Sequence, residues 1–161
     1  MKSYTEKEIL TFAKAIDGDE ESYRWLIENH FAELAATVDV ITNHSDTALS
    51  WLKKNKQITL VAFISALGED KNAMTYLISQ KHILFASVVG AVEGEVVPFN
   101  WLAKNNLGFY LLAKTLINYF RSYRRYRTIW SSTDFTSDGD TNDSTHLGGG
   151  DFGGAGAGGK W

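Results

Sequence analysis

The chain contains no cysteine, which removes disulfides, thiolate metal sites and a cysteine nucleophile in one step. It has no long hydrophobic run: the most apolar stretch, Ile83 to Val92, is far short of the roughly 20 residues a transmembrane helix needs. Charges occupy Met1-Lys2-Ser3-Tyr4-Thr5-Glu6-Lys7-Glu8, where a secretory signal would need its apolar segment. There is no strong excess of either charge. A net charge of −3 over 161 residues is too small to mark a nucleic-acid binder or an acidic solvating protein by bulk electrostatics, so the distribution of charge matters more than its sum. His30, His44, His82 and His146 lack metal-ligand spacing, and no convergent set of acids, bases or nucleophiles is visible. These absences predict a cytoplasmic protein with no membrane span, metal, cofactor or catalytic residue: one domain with a tail, and not an enzyme.

What is present is a repeat. Trp25-Leu26-Ile27-Glu28-Asn29 recurs as Trp51-Leu52-Lys53-Lys54-Asn55, Tyr76-Leu77-Ile78-Ser79-Gln80 and Trp101-Leu102-Ala103-Lys104-Asn105, at spacings of 26, 25 and 25 residues. Apolar columns continue on both sides of this motif. Tyr23, Leu49, Met74 and Phe99 precede the aromatic by two; Leu34-Ala35, Leu60-Val61, Phe85-Ala86 and Tyr110-Leu111 follow it at nine and ten; Ile41, Leu67, Val92 and Ile117 follow at sixteen. Within a unit the columns fall on one face of a short first helix and one face of a longer second helix.

The breaks agree with this reading. Asp17-Gly18-Asp19, Asn43-His44-Ser45-Asp46, Gly68-Glu69-Asp70 and Glu93-Gly94-Glu95 supply turn glycines and N-cap side chains. Pro98, the only proline, falls in the first turn of its helix, where Pro is tolerated. The amide column Asn29, Asn55, Gln80 and Asn105 reads as left-handed helix C-caps, and the aromatic column as packed core. A lone helix over 5–16, opened by the capping box Thr5-Glu6-Lys7-Glu8, precedes the first full unit and is expected to cover its apolar face. The prediction is an all-α solenoid of four helix-turn-helix repeats, about 17–41, 42–67, 68–92 and 93–130, with capping helices at both ends.

The last helix runs on from Phe109 through Asn118-Tyr119-Phe120-Arg121-Ser122-Tyr123-Arg124-Arg125-Tyr126-Arg127-Thr128-Ile129-Trp130 without Gly or Pro. Its tyrosines and Trp130 share one face and its arginines another. Arginine interleaved with aromatics suits phosphate and base contacts; equally, such a helix can cap the open end of the array. Arg121, Tyr123, Arg124, Arg125, Tyr126, Arg127 and Trp130 are therefore the candidate contacts for a partner or a polyanion. Beyond Trp130 the chain turns to Ser, Thr, Asp and Asn, and then from Leu147 to Gly and Ala, so 131–161 is expected to be disordered. Its aspartates suggest that the tail folds back over the arginines. Gly154 to Lys160 has most of a phosphate-binding loop, but Trp161 follows the lysine where the motif needs Ser or Thr.

Ala15-Ile16-Asp17-Gly18-Asp19 followed by Trp25-Leu26-Ile27-Glu28-Asn29 resembles the helical part of an ankyrin repeat, with its Ala-x-x-Gly turn and Leu-rich helix end. The period falls short of the family's 33 residues and the Thr-Pro-Leu-His opening is absent, so no β-turn finger is expected. The resemblance implies a protein-binding scaffold. The stretch from Gly148 to Trp161 is similar in composition to the Gly-rich, Trp-terminated tails of bacterial proteins that carry a TPM domain. The sequence thus points to a protein-interaction scaffold, with a nucleic-acid-binding accessory protein as the alternative.

Overall fold

The computed structural model describes residues 3–122, which contain helices and turns and no strand. In chain order the helices are α1 (Glu6–Ile16), α2 (Glu20–Glu28), α3 (Ala32–Asn43), α4 (Asp46–Lys54), α5 (Ile58–Leu67), α6 (Lys71–Ser79), α7 (Ile83–Val92), α8 (Val96–Asn105) and α9 (Leu107–Ser122). The odd-numbered helices pack side by side, α1 on α3, α3 on α5, α5 on α7 and α7 on α9, while α2, α4, α6 and α8 each lie over the inner helices before and after them. The inner helices run parallel because each is joined to the next through an antiparallel outer one. Helix α9 also packs against α1, so the row of inner helices closes into a ring. The helices at the two ends of the array cap one another.

Local chemistry sets the helix starts. The capping box is present: Glu8 N–H donates to Thr5 Oγ1 at 3.4 Å and Thr5 N–H to Glu8 Oε2 at 2.7 Å. Asp19, Ser45 and Asp70 accept the N–H of Ser22, Ala48 and Ala73, the third residue of α2, α4 and α6. Glu95 makes no such bond, because the third residue of α8 is Pro98, which has no N–H. Its carboxylate lies instead over Gly90, where a Cβ would come within 3.1 Å of Glu95 Oε2 and of Pro98 Cγ. Ahead of each of these N-caps stands a left-handed residue: Gly18, His44, Glu69 and Gly94. Gly68, expected as the turn glycine, has φ −83° and leaves the left-handed position to Glu69.

The amide column caps differently from expectation. Asn29, Asn55 and Gln80 have φ of −97°, −88° and −84°; the left-handed residues are the next ones, His30, Lys56 and Lys81. Phe31, Gln57 and His82 then donate their N–H to the carbonyls of Leu26, Leu52 and Leu77, which completes a Schellman turn. The amides of Asn29, Asn55 and Asn105 donate to the carbonyls of Trp25, Trp51 and Trp101 at 2.8 to 2.9 Å.

The fourth unit omits the left-handed residue. Trp101 is six residues from the start of α9, whereas Trp25, Trp51 and Tyr76 are seven from the helices that follow them. This deletion rotates the last inner helix by one position: Phe109, Leu112, Ala113, Leu116 and Phe120 are buried, and the expected Tyr110, Leu111 and Ile117 are half-buried. The packed core is built from the leucine after each aromatic, Leu26, Leu52, Leu77 and Leu102, all fully buried, and from the inner rings. Phe63 meets Phe85 at 4.9 Å and Phe85 meets Phe109 edge-on at 5.2 Å. Of the aromatic column, Trp25, Trp51 and Tyr76 pack against the edge of this core and not within it. Trp25, Trp51 and Tyr76 are half-buried and Trp101 is 41% exposed, since the outer helix directs the leucine inward and turns its neighbour along the flank. Trp25, for instance, stacks on Phe31 at 5.8 Å.

Leu102→Ala is expected to cost about 3 to 4 kcal/mol, as for a fully buried leucine, and Trp101→Ala about 1 kcal/mol. Denaturant unfolding of the two variants measures both, and the reverse order would place the aromatic column in the core. Lys56→Gly should stabilise by about 0.5 to 1 kcal/mol by relieving a left-handed non-glycine residue; no gain in the denaturation midpoint would mean that the turn carries no such cost.

Candidate interaction surface

The ring has two chemically distinct ends. At one, each inner helix hands over to the next outer helix through Asp17-Gly18-Asp19-Glu20, Ser45-Asp46, Glu69-Asp70-Lys71 or Glu93-Gly94-Glu95, so carboxylates dominate. A shallow groove of about 510 Å³ lies there between Glu69, Asp70, Met74 and Glu93. At the other end the outer helices hand over to the inner ones, and that surface carries Lys53, Lys54, Lys56, Lys81 and Lys104, all exposed, against Glu28 in the same turns, the buried Glu33 in the first turn of α3, and Glu6 and Glu8 on α1. Inner and outer helices point in opposite directions, so their dipoles largely cancel and the side chains set the polarity.

The lysine end also displays an aliphatic row. Ile58, Ile83 and Leu107 are the first residues of α5, α7 and α9 and are 37%, 45% and 53% exposed. Adjacent helices pack at roughly 8 to 10 Å, so the three side chains form a line across neighbouring helices. Ile78, near the end of α6, is 53% exposed beside them. Under Ile58 opens a cavity of about 110 Å³, walled by Tyr4, Lys56, Gln57, Thr59, Leu60 and Phe85. It has the volume of a single side chain, and its lining mixes apolar and polar groups, Lys56 among them.

Polar contacts fix the walls. The Tyr4 hydroxyl donates to Glu33 Oε1 at 3.4 Å, and burial, reinforced by that carboxylate, pushes the phenol well above the usual range. Thr59 Oγ1 meets His82 Nε2 at 3.0 Å; burial holds His82 below the ordinary imidazole value, as it does His44 at the acidic end. On the outer layer, burial and the Asp39 carboxylate raise the Tyr23 phenol, which donates to Asp39 Oδ2 at 2.9 Å. Asp19 is held below the carboxylate range by the hydroxyl of Ser22, which donates to it.

The sequence-predicted contacts lie elsewhere. Arg121 is exposed in the last turn of α9, beside the carboxylate end. Tyr123, Arg124, Arg125, Tyr126, Arg127 and Trp130 lie outside the described residues, as does 131–161. Tyr119, the first residue of the helix's tyrosine face, turns inward: its hydroxyl donates to the carbonyls of Ile41 and Thr42 at 3.2 and 3.4 Å, tying α9 to the end of α3. The aliphatic row was missed because each member opens a helix whose other apolar residues point inward. The available signal was an Ile or Leu directly after each turn, where an apolar side chain has no core to enter.

Among the described residues no group of His, Asp and Glu is arranged to hold a metal ion, and no helix is long and apolar enough to cross a membrane. Comparison of the chain with protein-family models, with curated proteins and with solved structures yielded no match.

Because burial depresses both His44 and His82, their neutral forms favour the folded state. Their contribution is fully present above the ordinary value of 6.5 and is lost as pH falls below it toward their folded values. Stability should therefore decline between about pH 7 and pH 5, and the double variant His44→Asn, His82→Gln should flatten that decline. An unchanged slope in urea midpoints across this range would show that neither histidine is linked to folding.

Proposed function

We propose that this chain is a protein-interaction module that grips a short acidic and apolar peptide segment at the lysine end of the ring. The observation that carries the reading is the exposed row Ile58, Ile83 and Leu107 over a side-chain-sized cavity, set among five lysines. An apolar anchor entering a pocket, with charges at its rim, is the arrangement in which a few residues supply most of the binding energy and the surrounding charge supplies steering. The ankyrin-like helical pattern favours the same class of function, although the proposed contact surface is the ring's end and not a concave array face.

The nucleic-acid reading rests on Arg121, Arg124, Arg125 and Arg127. It is disfavoured by the position of Arg121, whose neighbouring turns carry carboxylates that repel a polyanion.

Selection from a randomised peptide display library on the immobilised full chain is expected to enrich Asp or Glu beside an aromatic or aliphatic residue. The variant Lys56→Glu, Ile83→Ser should lose that enrichment while keeping its helical circular dichroism. Equal enrichment by both proteins, or enrichment of basic peptides, would sink the reading.

A further inference from the structure

We infer that the lysine end takes the acidic end of a second copy of this chain, so that rings stack head to tail: the turn Glu93-Gly94-Glu95-Val96-Val97 of one molecule docks on the Lys56 and Lys81 turns of the next. The inference rests on the peptide-binding reading of the lysine end and names its partner. It starts from two side chains that the fold leaves outside. Val96 and Val97 open α8 and are 67% and 80% exposed, the most of any large hydrophobic side chains among the described residues. At the same two places before the aromatic the other units carry Glu20-Glu21, Asp46-Thr47 and Lys71-Asn72. The valines are thus a departure of the fourth unit and not a demand of the repeat. Trp101, one turn beyond Val97 on the same helical face, is likewise more exposed than its counterparts.

Charge selects the surface that receives them. From residue 82 to residue 103 the chain has no Lys or Arg, and Glu93 and Glu95, both exposed, directly precede the valines. The turn is therefore itself an acidic and apolar segment. Its complement lies at the opposite end of the ring. Residues 47–68 and 71–92 contain no Asp or Glu, and their turns at the lysine end carry Lys53, Lys54, Lys56 and Lys81 together with the partly exposed Ile58 and Ile83. The carboxylates of that end, Glu6, Glu8, Glu28 and Glu33, belong to α1, α2 and α3. The docking sector is accordingly the α5 and α7 side, where the valines meet Ile58 and Ile83 while Glu93 and Glu95 face Lys56 and Lys81. Joining two lysine ends or two acidic ends would set like charges against each other, which disfavours both two-fold pairings of the ends.

A single molecule cannot make this contact with itself. Helix α7 has 10 residues, about 15 Å at the α-helical rise, with Ile83 at its start and Glu93 just past its end. The acidic turn and the docking sector therefore point away from each other, along opposite directions of the ring axis. Their contact joins unlike surfaces, and each stack keeps one unused end of each kind, so it grows without closing. One turn set against two is a smaller contact than the roughly 800 Å² per partner of a standard interface. Stacking is weak for that reason, and concentration and salt control it.

Sedimentation velocity of the full chain over a concentration series at low salt is expected to give a weight-average mass that rises without levelling at two chains, and that falls at fixed concentration when salt is added. Two variants break opposite faces: Val96→Gln, Val97→Gln in the acidic turn, and Lys56→Glu, Lys81→Glu at the lysine end. Each alone should remain a single chain throughout the series. Mixed in equal amounts they should pair and stop at two chains, because the first keeps an intact lysine end and the second an intact acidic turn. Such pairing also shows that both variants are folded. The proposal is overturned if the wild-type chain stays single at every concentration, if either variant associates as the wild type does, or if the mixture does not pair. Peptide selection separates these failures from that of the binding reading: enrichment of acidic and apolar peptides on a chain that does not stack would leave that reading standing with a different partner.

Discussion

The contact of α9 with α1 is the constraint on which the rest depends. A row of helical hairpins leaves an apolar face at each end, and an open array must cover both with special capping elements. Here one face covers the other. The cost of doing so is geometric, because the last inner helix must meet the first at a fixed rotation. The missing residue between Asn105 and Asn106 serves this need: it turns Phe109, Leu112, Leu116 and Phe120 inward. The Tyr119 hydroxyl then reaches the carbonyls of Ile41 and Thr42, drawing the far end of α9 onto the third helix.

Closure also explains the distribution of burial. Helix α5, opposite the junction, is buried over all of Leu60 to Leu67, the pattern of a helix enclosed on every side. The outer helices bury little more than the one column headed by Leu26, Leu52, Leu77 and Leu102. Their neighbouring aromatics act as flanking cover, and the Trp25 ring, between Phe31 and the Lys7 ammonium at 4.8 Å, shows how such a side chain finds partners without entering the core.

Much of this fold was legible in the sequence. The four aromatic-Leu motifs, the polar breaks and the Thr5 capping box locate the helices and their pairing. Burial within the motif was less legible, because a period of 25 or 26 marks equivalent positions without saying which of two adjacent apolar residues points inward. The register of the last unit was hidden by the same strength: matching Tyr110-Leu111 and Ile117 to the earlier columns ignored the better helical face formed by Phe109, Leu112, Ala113 and Leu116. Ring closure had no local signal, since α1 and α9 lie at opposite ends of the described chain. The candidate surface was hidden for a related reason. Its parts are distributed over three turns and converge only when α5, α7 and α9 stand in parallel.

The two chemical ingredients of that surface have different origins. Carboxylates at the starts of outer helices and lysines at their ends complement the helix dipoles, stabilising each helix by a few tenths of a kcal/mol per charge. Asp19, Asp46 and Asp70 on one side and Lys53, Lys54 and Lys104 on the other fit this pattern, so the charge separation of the ring follows from helix stability alone. The aliphatic row has no such origin. Ile58, Ile83 and Leu107 leave 37%, 45% and 53% of their surface exposed, at positions where polar residues favour a helix start at least as well. Ile58, Ile83 and Leu107 nevertheless occupy equivalent places on three neighbouring helices, while the corresponding residue of α3 is Ala32, behind the Trp25 and Phe31 stack. An apolar side chain repeated at equivalent helix starts, beside a cavity and inside a field that helix stability already supplies, is the feature on which the proposed binding surface rests.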